Sequence, residues 1–191
     1  MAAKASSQRT KATYQDRRST LTVVGATVLA LLLGALLKSS VLNRSQIIQQ
    51  KGISASVPAS WVVEDGAGDF IFASWDPFTP DVRYTVFLIP TQAGRSLLDV
   101  AAEQNLGLGK ALQSFRVLEE TPIIRRGREG YKVTYAFVNT EQTGLPIVLL
   151  AVNYYFPADN DTLVISLQAD EQAYDEALLR FESFLDSVSY K

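Results

Sequence analysis

The residues best suited to recognition chemistry are three arginines that lie almost side by side, Arg125, Arg126 and Arg128. Guanidinium groups donate paired hydrogen bonds that match carboxylates and phosphates. The arginines occur in a part of the chain where acids outnumber bases, so they stand out as a local positive patch. The cluster therefore predicts a surface that docks an acidic partner or lipid headgroups. The alternative interpretation is an exposed hairpin loop that its charges keep solvated.

A group of acidic residues could instead hold a hard cation. Glu64, Asp65 and Asp69 surround two glycines in the segment VEDGAGD, and calcium prefers carboxylate oxygens. The spacing does not match an EF-hand loop, and a glycine turn between strands explains the segment more simply. Residues 159–161 admit the same two interpretations, because Asp and Asn are common turn residues. We therefore predict no metal ion and no other cofactor.

Two residue types are missing, because the chain has neither histidine nor cysteine. Their absence excludes histidine-based triads, thiol chemistry and most zinc sites, so we expect a protein that is not an enzyme. Residues 52–191 contain ten Lys and Arg against nineteen Asp and Glu, a net charge of −9. A phosphate backbone repels such a domain, so we expect no nucleic-acid partner.

The aromatic residues Trp75, Phe78 and Tyr84 could line a cleft for a small apolar ligand. Packing in a core or at a sheet edge is the alternative for these residues. This leaves a ligand-binding function open beside a docking function.

An uncharged segment near the N-terminus predicts a membrane anchor. Residues 20–37 contain no charge, and Lys38 can snorkel, so we expect a transmembrane helix over residues 20–42. A cleaved signal peptide is the competing interpretation, but the apolar run exceeds the usual h-region. Residues 1–19 form a basic tail that the positive-inside rule places in the cytoplasm, with the C-terminal domain outside. Within the span, Ala30 and Gly34 have the small-xxx-small spacing that lets a second helix approach closely.

The remaining chain reads as a stalk over residues 43–51 and one domain over residues 52–191. Strands are expected at residues 53–57, 70–76, 83–89, 115–121, 131–138, 147–156 and 163–167. One helix is expected from Ser96, with Asp99 completing a capping box and Gly107 and Gly109 as stop signals. A second helix follows Asp170 as N-cap, and its 3.6-residue spacing predicts an apolar stripe of Tyr174, Ala177, Leu178, Phe181, Leu185 and Val188. Consecutive strands with short turns predict an α+β domain, an antiparallel β-sheet covered by two helices.

The order of these segments resembles the PsbP-like superfamily, named for an extrinsic subunit of photosystem II. The resemblance covers nearly all of the domain and includes SVPASW (56–61), FIFASWDP (70–77), the helix from Ser96, GYKVTYAF (130–137) and EALLRFESFLDSV (176–188). It implies a binding or assembly role. We therefore expect a membrane-anchored accessory or assembly subunit that docks on a membrane protein complex, photosynthetic or respiratory. The alternative is an envelope protein that binds a small apolar ligand in a cleft.

Overall fold

The computed structural model describes residues 23–34, 44–67, 70–92, 94–140 and 145–190, and the chain divides into two compact units, Met1–Arg44 and Ser45–Lys191. In the first unit, residues 23–34 form helix α1, whose side chains are exposed. Among the described residues no helix combines the length and hydropathy needed to cross a bilayer. Residues 20–22 and 35–42 of the predicted span, and the whole basic tail, lie outside the described residues.

The second unit contains the described strands and two further helices. The strands are β1 (Ser45–Gln50), β2 (Ile53–Pro58), β3 (Val62–Asp65), β4 (Phe70–Asp76), β5 (Thr79–Pro90), β6 (Gln113–Arg125), β7 (Arg128–Asn139), β8 (Ile147–Ala158), β9 (Asp161–Asp170) and β10 (Ser189–Tyr190). The helices are α2 (Leu97–Ala111) and α3 (Tyr174–Ser187).

The strands form two antiparallel sheets. The larger sheet has seven strands in the order β3-β4-β5-β9-β8-β7-β6, and the smaller has three in the order β1-β2-β10. Every described pair is antiparallel. The predicted α+β class with an antiparallel sheet is therefore confirmed.

Side chains alternate between the two faces of the seven-stranded sheet, and each face carries a hydrophobic core. On one face, helix α3 and the small sheet pack over β5, β8 and β9, around Tyr84, Tyr154 and Phe181. On the other face, α2 packs over β6, β7 and β8, around Tyr135, Tyr155 and Val164. The predicted covering by two helices is correct, and the small sheet is an addition to it.

The N-terminal border of the domain differs from the prediction. Residues 45–50, expected in the stalk, form β1 and pair with β2 from Ser45↔Pro58 to Gln50↔Ile53. Ile48 is buried in the core, whereas its neighbour Ile47 is exposed. Strand β1 has only one buried aliphatic side chain among its glutamines, so apolar and polar residues hardly alternate along it. The sequence pattern therefore does not predict this strand. The compact unit therefore begins before the predicted border at residue 52.

Three predicted ends of elements were also wrong. Helix α2 continues past Gly107 and Gly109 to Ala111, and neither glycine has the positive φ that a helix-ending glycine adopts. Strand β6 continues through Pro122, which an edge strand tolerates because one side of it needs no N–H donor. Asp170 is not the N-cap of α3. Its side chain accepts hydrogen bonds from the backbone N–H groups of Gln172 and Ala173 and closes the preceding turn.

The capping box at the start of α2 is confirmed. The Ser96 hydroxyl accepts from the Asp99 N–H at 3.2 Å, and the Asp99 carboxylate accepts from the Ser96 N–H at 3.1 Å. The Ser96 hydroxyl also donates to the Asp99 carboxylate at 2.7 Å. This bond and the one from the Ser96 N–H lower the pKa of Asp99 below its ordinary value.

Candidate functional site

A tight hairpin turn brings the three predicted arginines together. Strand β6 ends at Arg125 and β7 begins at Arg128, and these two residues face each other in the register. Arg126 and Gly127 form the turn with φ values of 50° and 76°. Positive φ at both central residues is the geometry that matches the twist of a two-residue hairpin, and glycine adopts it without strain.

Arg125 joins this hairpin to the C-terminal end of α3. Its Nε donates to Asp186 Oδ1 at 2.6 Å, and its Nη2 donates to the Glu182 backbone oxygen at 3.2 Å. Its Nη1 donates to the Glu182 carboxylate, which also accepts from the Tyr154 hydroxyl at 3.2 Å. Only 24% of the Arg125 side chain is exposed. Arg125 therefore holds two elements together and has little capacity left for a partner.

The pKa directions in this group follow from the same contacts. The hydrogen bond from Arg125 lowers the pKa of the Asp186 carboxyl below its ordinary value. Burial alone would lower the pKa of Arg125, but hydrogen bonds from its guanidinium to Asp186 and Glu182 outweigh burial and raise it. Burial raises the pKa of Tyr154, and the Glu182 charge raises it further. Asp186 and Arg125 are therefore ionised and Tyr154 is neutral near neutral pH.

Arg126 and Arg128 are much more open than Arg125. Arg126 donates to the Asp186 backbone oxygen at 2.7 Å and forms an ion pair with its carboxylate at 3.2 Å, yet 67% of its side chain is exposed. Arg128 is exposed and forms no ion pair with any other described residue. Three arginines against Glu182 and Asp186 leave about one positive charge, which Arg128 presents.

The arginines border a half-open groove of about 330 Å³, which we call the arginine groove. Its floor is apolar, and its walls come from the β6–β7 turn and from the chain that joins α3 to β10. The lining residues are Arg125, Arg126, Arg128, Phe156, Leu163, Ile165, Leu185, Asp186, Ser187, Val188 and Ser189. An apolar floor with a cationic rim can bind a partner that presents apolar and anionic groups side by side.

A second cleft, of about 450 Å³, lies on the opposite face at the C-terminal end of α2, which we call the α2 cleft. Its lining includes Leu108, Leu112, Tyr135 and Phe137, together with the amide side chain of Gln168. Burial raises the pKa of Tyr135 to about 12. None of the residues that line it is charged, in contrast to the arginine groove.

Buried polar groups behind the α2 cleft satisfy one another. Asn153 Oδ1 accepts from the Ser166 hydroxyl at 2.7 Å, and Asn153 Nδ2 donates to the Tyr155 hydroxyl at 3.2 Å. Asn153 is 2% exposed, and a buried amide without partners would be costly. The hydrogen-bonding groups of Asn153 are therefore satisfied by neighbouring side chains of the protein.

The predicted aromatic cleft does not form. Tyr84 is 1% exposed, and its ring lies 4.5 Å from that of Trp61 in the core. Phe78 is 88% exposed in the β4–β5 turn. Trp75 follows Ser74, the register partner of Tyr84, so its side chain points to the other face of the sheet, where Arg83 lies 5.3 Å from its ring. The three residues were grouped by closeness in sequence, and strand alternation separates them.

The predicted carboxylate group is partly engaged in other contacts. Glu64 pairs with Arg83 at 3.1 Å, and Asp65 accepts a hydrogen bond from Gln50, while Asp69 lies outside the described residues. Over the described parts of the chain, no three acidic residues lie together as metal ligands would. Asp159 and Asn160 form the β8–β9 turn, with Asp159 at a φ of 45°.

Ala30 and Gly34, the residues predicted for helix–helix contact, both lie in helix α1 and are exposed. A Cβ atom placed on Gly34 would meet no described atom within 4 Å. Space for an approaching helix is therefore open at this position, and its use remains a prediction.

Sequence reasoning missed the acidic partners of the arginines. Glu182 and Asp186 are four residues apart on α3, beside the apolar stripe that includes Phe181 and Leu185. An acidic pair at that spacing on the flank of a buried stripe was the available signal, because residues i and i+4 share one face of a helix.

Solved structures of other proteins have a similar fold. No family model matches the chain, and no curated protein matches it. The solution structure of cyanobacterial PsbP (CyanoP) from Synechocystis sp. PCC 6803 is similar, with a TM-score of 0.58, 13% identity, and coverage of 77% of this chain and 92% of that one.

A second similar structure is the Ran-binding protein Mog1p of Saccharomyces cerevisiae, with a TM-score of 0.55, 10% identity, and coverage of 77% of this chain and 95% of that one. The fold is that of PsbP and Mog1. The resemblance to the PsbP-like superfamily is thereby supported at the level of the PsbP/Mog1-like fold, and such low identities carry no function with them.

Proposed function

We propose that this protein is a membrane-anchored, non-enzymatic accessory or assembly subunit whose PsbP/Mog1-like domain docks on a membrane protein complex. The observation that supports docking is the arginine groove, where an exposed arginine stands at the rim of an apolar floor. In a domain with a net charge of −9, this is a local site suited to acidic groups of a partner.

The support for anchoring comes from the first unit. Residues 20–37 are uncharged, and residues 1–51 contain eight Lys and Arg against one acid. We propose a single span over residues 20–42, with the N-terminus in the cytoplasm and the domain outside. A tether raises the local concentration of the domain at the complex, so a groove of modest size suffices for docking. Ala30 and Gly34 would add a helix–helix contact within the bilayer.

The support for a non-enzymatic role is chemical. The chain has no histidine or cysteine to act as general base or nucleophile. The acids beside the groove, Glu182 and Asp186, are already bonded to arginines. An arrangement of this kind can bind and orient a partner.

The α2 cleft favours a second function, binding of a small molecule by an envelope protein. Leu108, Leu112 and Phe137 line one part of it. Polar side chains, among them Gln113, Thr140 and Gln168, line the rest, and such a mixed lining can orient a small ligand. Replacing Leu112 with Lys, which puts a charge into this cleft, should abolish such binding and leave docking at the arginine groove unchanged. Native mass spectrometry of the purified protein would detect a retained ligand and its loss.

The docking function is tested by purifying the native protein in mild detergent and identifying the proteins that accompany it. Arg128→Glu should reduce recovery of the complex at least tenfold, because it places a negative charge on the rim. Arg116→Glu is the matched control. Arg116 is also exposed, has no described ion pair and lies on β6 away from the groove. Recovery should also fall with salt.

Equal recovery of the complex with Arg128→Glu and with the wild-type protein would contradict docking at the groove. In that case the span becomes the next candidate interface, and Ala30→Leu with Gly34→Leu would test it, because added bulk blocks close helix approach.

A further inference from the structure

Strand β10 has one edge that no described strand pairs with, and this edge borders the arginine groove. Strand β10 pairs with β2 through Ser189↔Ser54 and Tyr190↔Ile53, and it ends the order of the small sheet. Val188, just before β10, and Ser189 line the groove, whereas no residue of β2 does; Ser189 also borders a cleft beside β2. The side of β10 that faces away from β2 is therefore the side at the groove, and no described strand pairs with it. Because β10 is only two residues long and the Val188 N–H already donates to the Leu185 oxygen, this edge is a short one that can pair with one or two residues of an added extended chain.

The floor of the groove suits side chains of an extended peptide. Phe156, Leu163 and Leu185 belong to the main core and are each less than a tenth exposed, so packing in the core fixes the position of the floor. A volume of about 330 Å³ lies at the small end of the ~300–1,000 Å³ typical of ligand sites. Successive side chains of an extended peptide point in opposite directions. One side chain of the peptide can therefore contact the apolar floor while the next one contacts the rim.

Arg128 determines which charge the peptide residue at the rim should have. Arg125 is fully engaged with α3, and Arg126 shares Asp186 with it, so Arg128 is the rim arginine with no ion pair among the described residues. One carboxylate matches the single surplus positive charge. A second anionic group would lie close to Asp186 and Glu182 and be repelled by them.

We propose that the arginine groove binds an extended peptide segment in which Asp or Glu is next to an aliphatic or aromatic residue. The segment adds to the edge of β10 at the groove, its apolar side chain rests on the floor, and its carboxylate pairs with Arg128. This inference rests on the proposed docking function and names the chemistry of the partner. A lipid headgroup could supply the anion, but it has no backbone to pair with the strand edge, so a peptide is the occupant that all three features favour.

The test uses a random heptapeptide display library on the full-length protein in mild detergent. The wild-type protein and Arg116→Glu should enrich sequences with an acid beside an apolar residue, and Arg128→Glu should enrich none. Arg128→Gln serves as a second variant that adds no negative charge. Unchanged melting temperatures establish that the variants are folded.

An enriched peptide is then synthesised in two altered forms. Changing its acid to the amide should weaken binding at least tenfold, because the pairing with Arg128 is lost. N-methylation of alternate backbone amides should weaken binding by a similar factor, because it removes the donors that pair with β10. Full binding by either altered peptide would overturn the proposal, as would enrichment without the acidic and apolar pair.

Vesicles of phosphatidylserine and phosphatidylcholine test whether the groove binds lipid headgroups instead of a peptide. Binding to these vesicles that Arg128→Glu abolishes, with no enriched peptide, would assign the groove to lipid and overturn the peptide proposal. The docking function has its own outcome. If Arg128→Glu loses the complex but the wild-type protein enriches no peptide, only the peptide inference is contradicted. If the wild-type protein binds the peptide but Arg128→Glu recovers as much complex as the wild-type protein, only the docking function is contradicted.

Discussion

At the scale of residues, three neighbouring arginines have three different roles. Arg125 is largely covered and bonded to α3, Arg126 shares Asp186 while remaining exposed, and Arg128 faces solvent at the groove. Burial and partners, rather than residue type, decide which of them is available. A triple substitution would therefore mix a loss of stability with a loss of recognition, and single substitutions separate the two.

Replacing Arg125 with Met should lower the free energy of unfolding by about 1–3 kcal/mol, because it removes the charged hydrogen bonds that join the hairpin to Glu182 and Asp186. Arg116→Met, at an exposed site, should change it by less than about 0.5 kcal/mol. Urea unfolding of both variants and the wild-type protein measures the difference. Equal midpoints for all three would mean that the bonds of Arg125 to α3 add nothing to stability.

The pH dependence follows from the lowered pKa of Asp186. A carboxyl whose pKa is lower in the folded state stabilises the fold above its unfolded pKa, near 3.8, and this contribution is lost as pH falls through the lower folded value. The stability gap between the wild-type protein and Arg125→Met should therefore be constant near neutral pH and shrink below about pH 4. Urea midpoints measured from pH 7 to pH 2.5 would show it, and a gap that widens in acid would contradict the assignment.

The sequence identified the arginines but not their different roles. Arg125, Arg126 and Arg128 were visible as a cluster because they are contiguous, whereas Glu182 and Asp186 are distant in the chain. Contacts of that range depend on how α3 is placed on the sheet, and no local pattern encodes them. The groove itself needs β8, β9 and β10 to meet, which sequence periodicity does not specify.

At the scale of elements, helix α3 is the part on which the larger core depends. Phe181 is fully buried, with Tyr84 at 5.0 Å and Tyr154 at 5.9 Å between ring centroids. The predicted apolar stripe of this helix is confirmed, since Tyr174, Ala177 and Leu185 are also buried. Leu179 lies outside the stripe and is 75% exposed.

Phe181→Ala should lower the free energy of unfolding by about 3–5 kcal/mol, because it leaves a cavity among packed aromatic rings. Leu179→Ala is the matched control on the same helix and should change it by less than about 0.5 kcal/mol. Chemical denaturation followed by tryptophan fluorescence is a suitable measurement, since Trp61 packs on Tyr84 within this core. Comparable losses in the two variants would show that α3 packs by another face.

Elements with strong periodicity were predictable, and those with weak periodicity were not. Strand β7 alternates inward Val133, Tyr135 and Phe137 with less buried residues, and it was found from that pattern. Strand β1 escaped notice because only Ile48 points inward. The sequence predicts that β6 ends before Pro122, since proline usually ends a strand, and the position of β6 at a sheet edge explains why the strand continues.

At the scale of the whole molecule, charge separates the chain into two parts. Residues 1–51 have a net charge of +7 and residues 52–191 a net charge of −9. The proposed topology uses this contrast, because basic residues stay on the cytoplasmic side of a span. The turn at Asn160 is exposed and belongs to the acidic part.

Asn160→Cys should react with a membrane-impermeant thiol reagent added to intact cells, because the domain is proposed to lie outside the cytoplasm. The chain has no other cysteine, so the label reports this position alone. Ala5→Cys, in the basic tail, is the control and should react only after lysis. The reverse result for the two positions would refute the orientation.

The last residues of the compact unit complete its first sheet, and this has a consequence for the timing of folding. Strand β2 receives β10 as its second neighbour, and the Ser56 N–H donates to the Ser187 hydroxyl at 2.9 Å across 131 residues of chain. During synthesis, β2 emerges long before Ser189 and Tyr190 exist, so the small sheet cannot be completed until these residues have been made. The small sheet therefore stays incomplete while the rest of the domain is synthesised, an order of events that suits the export of the domain under the proposed topology.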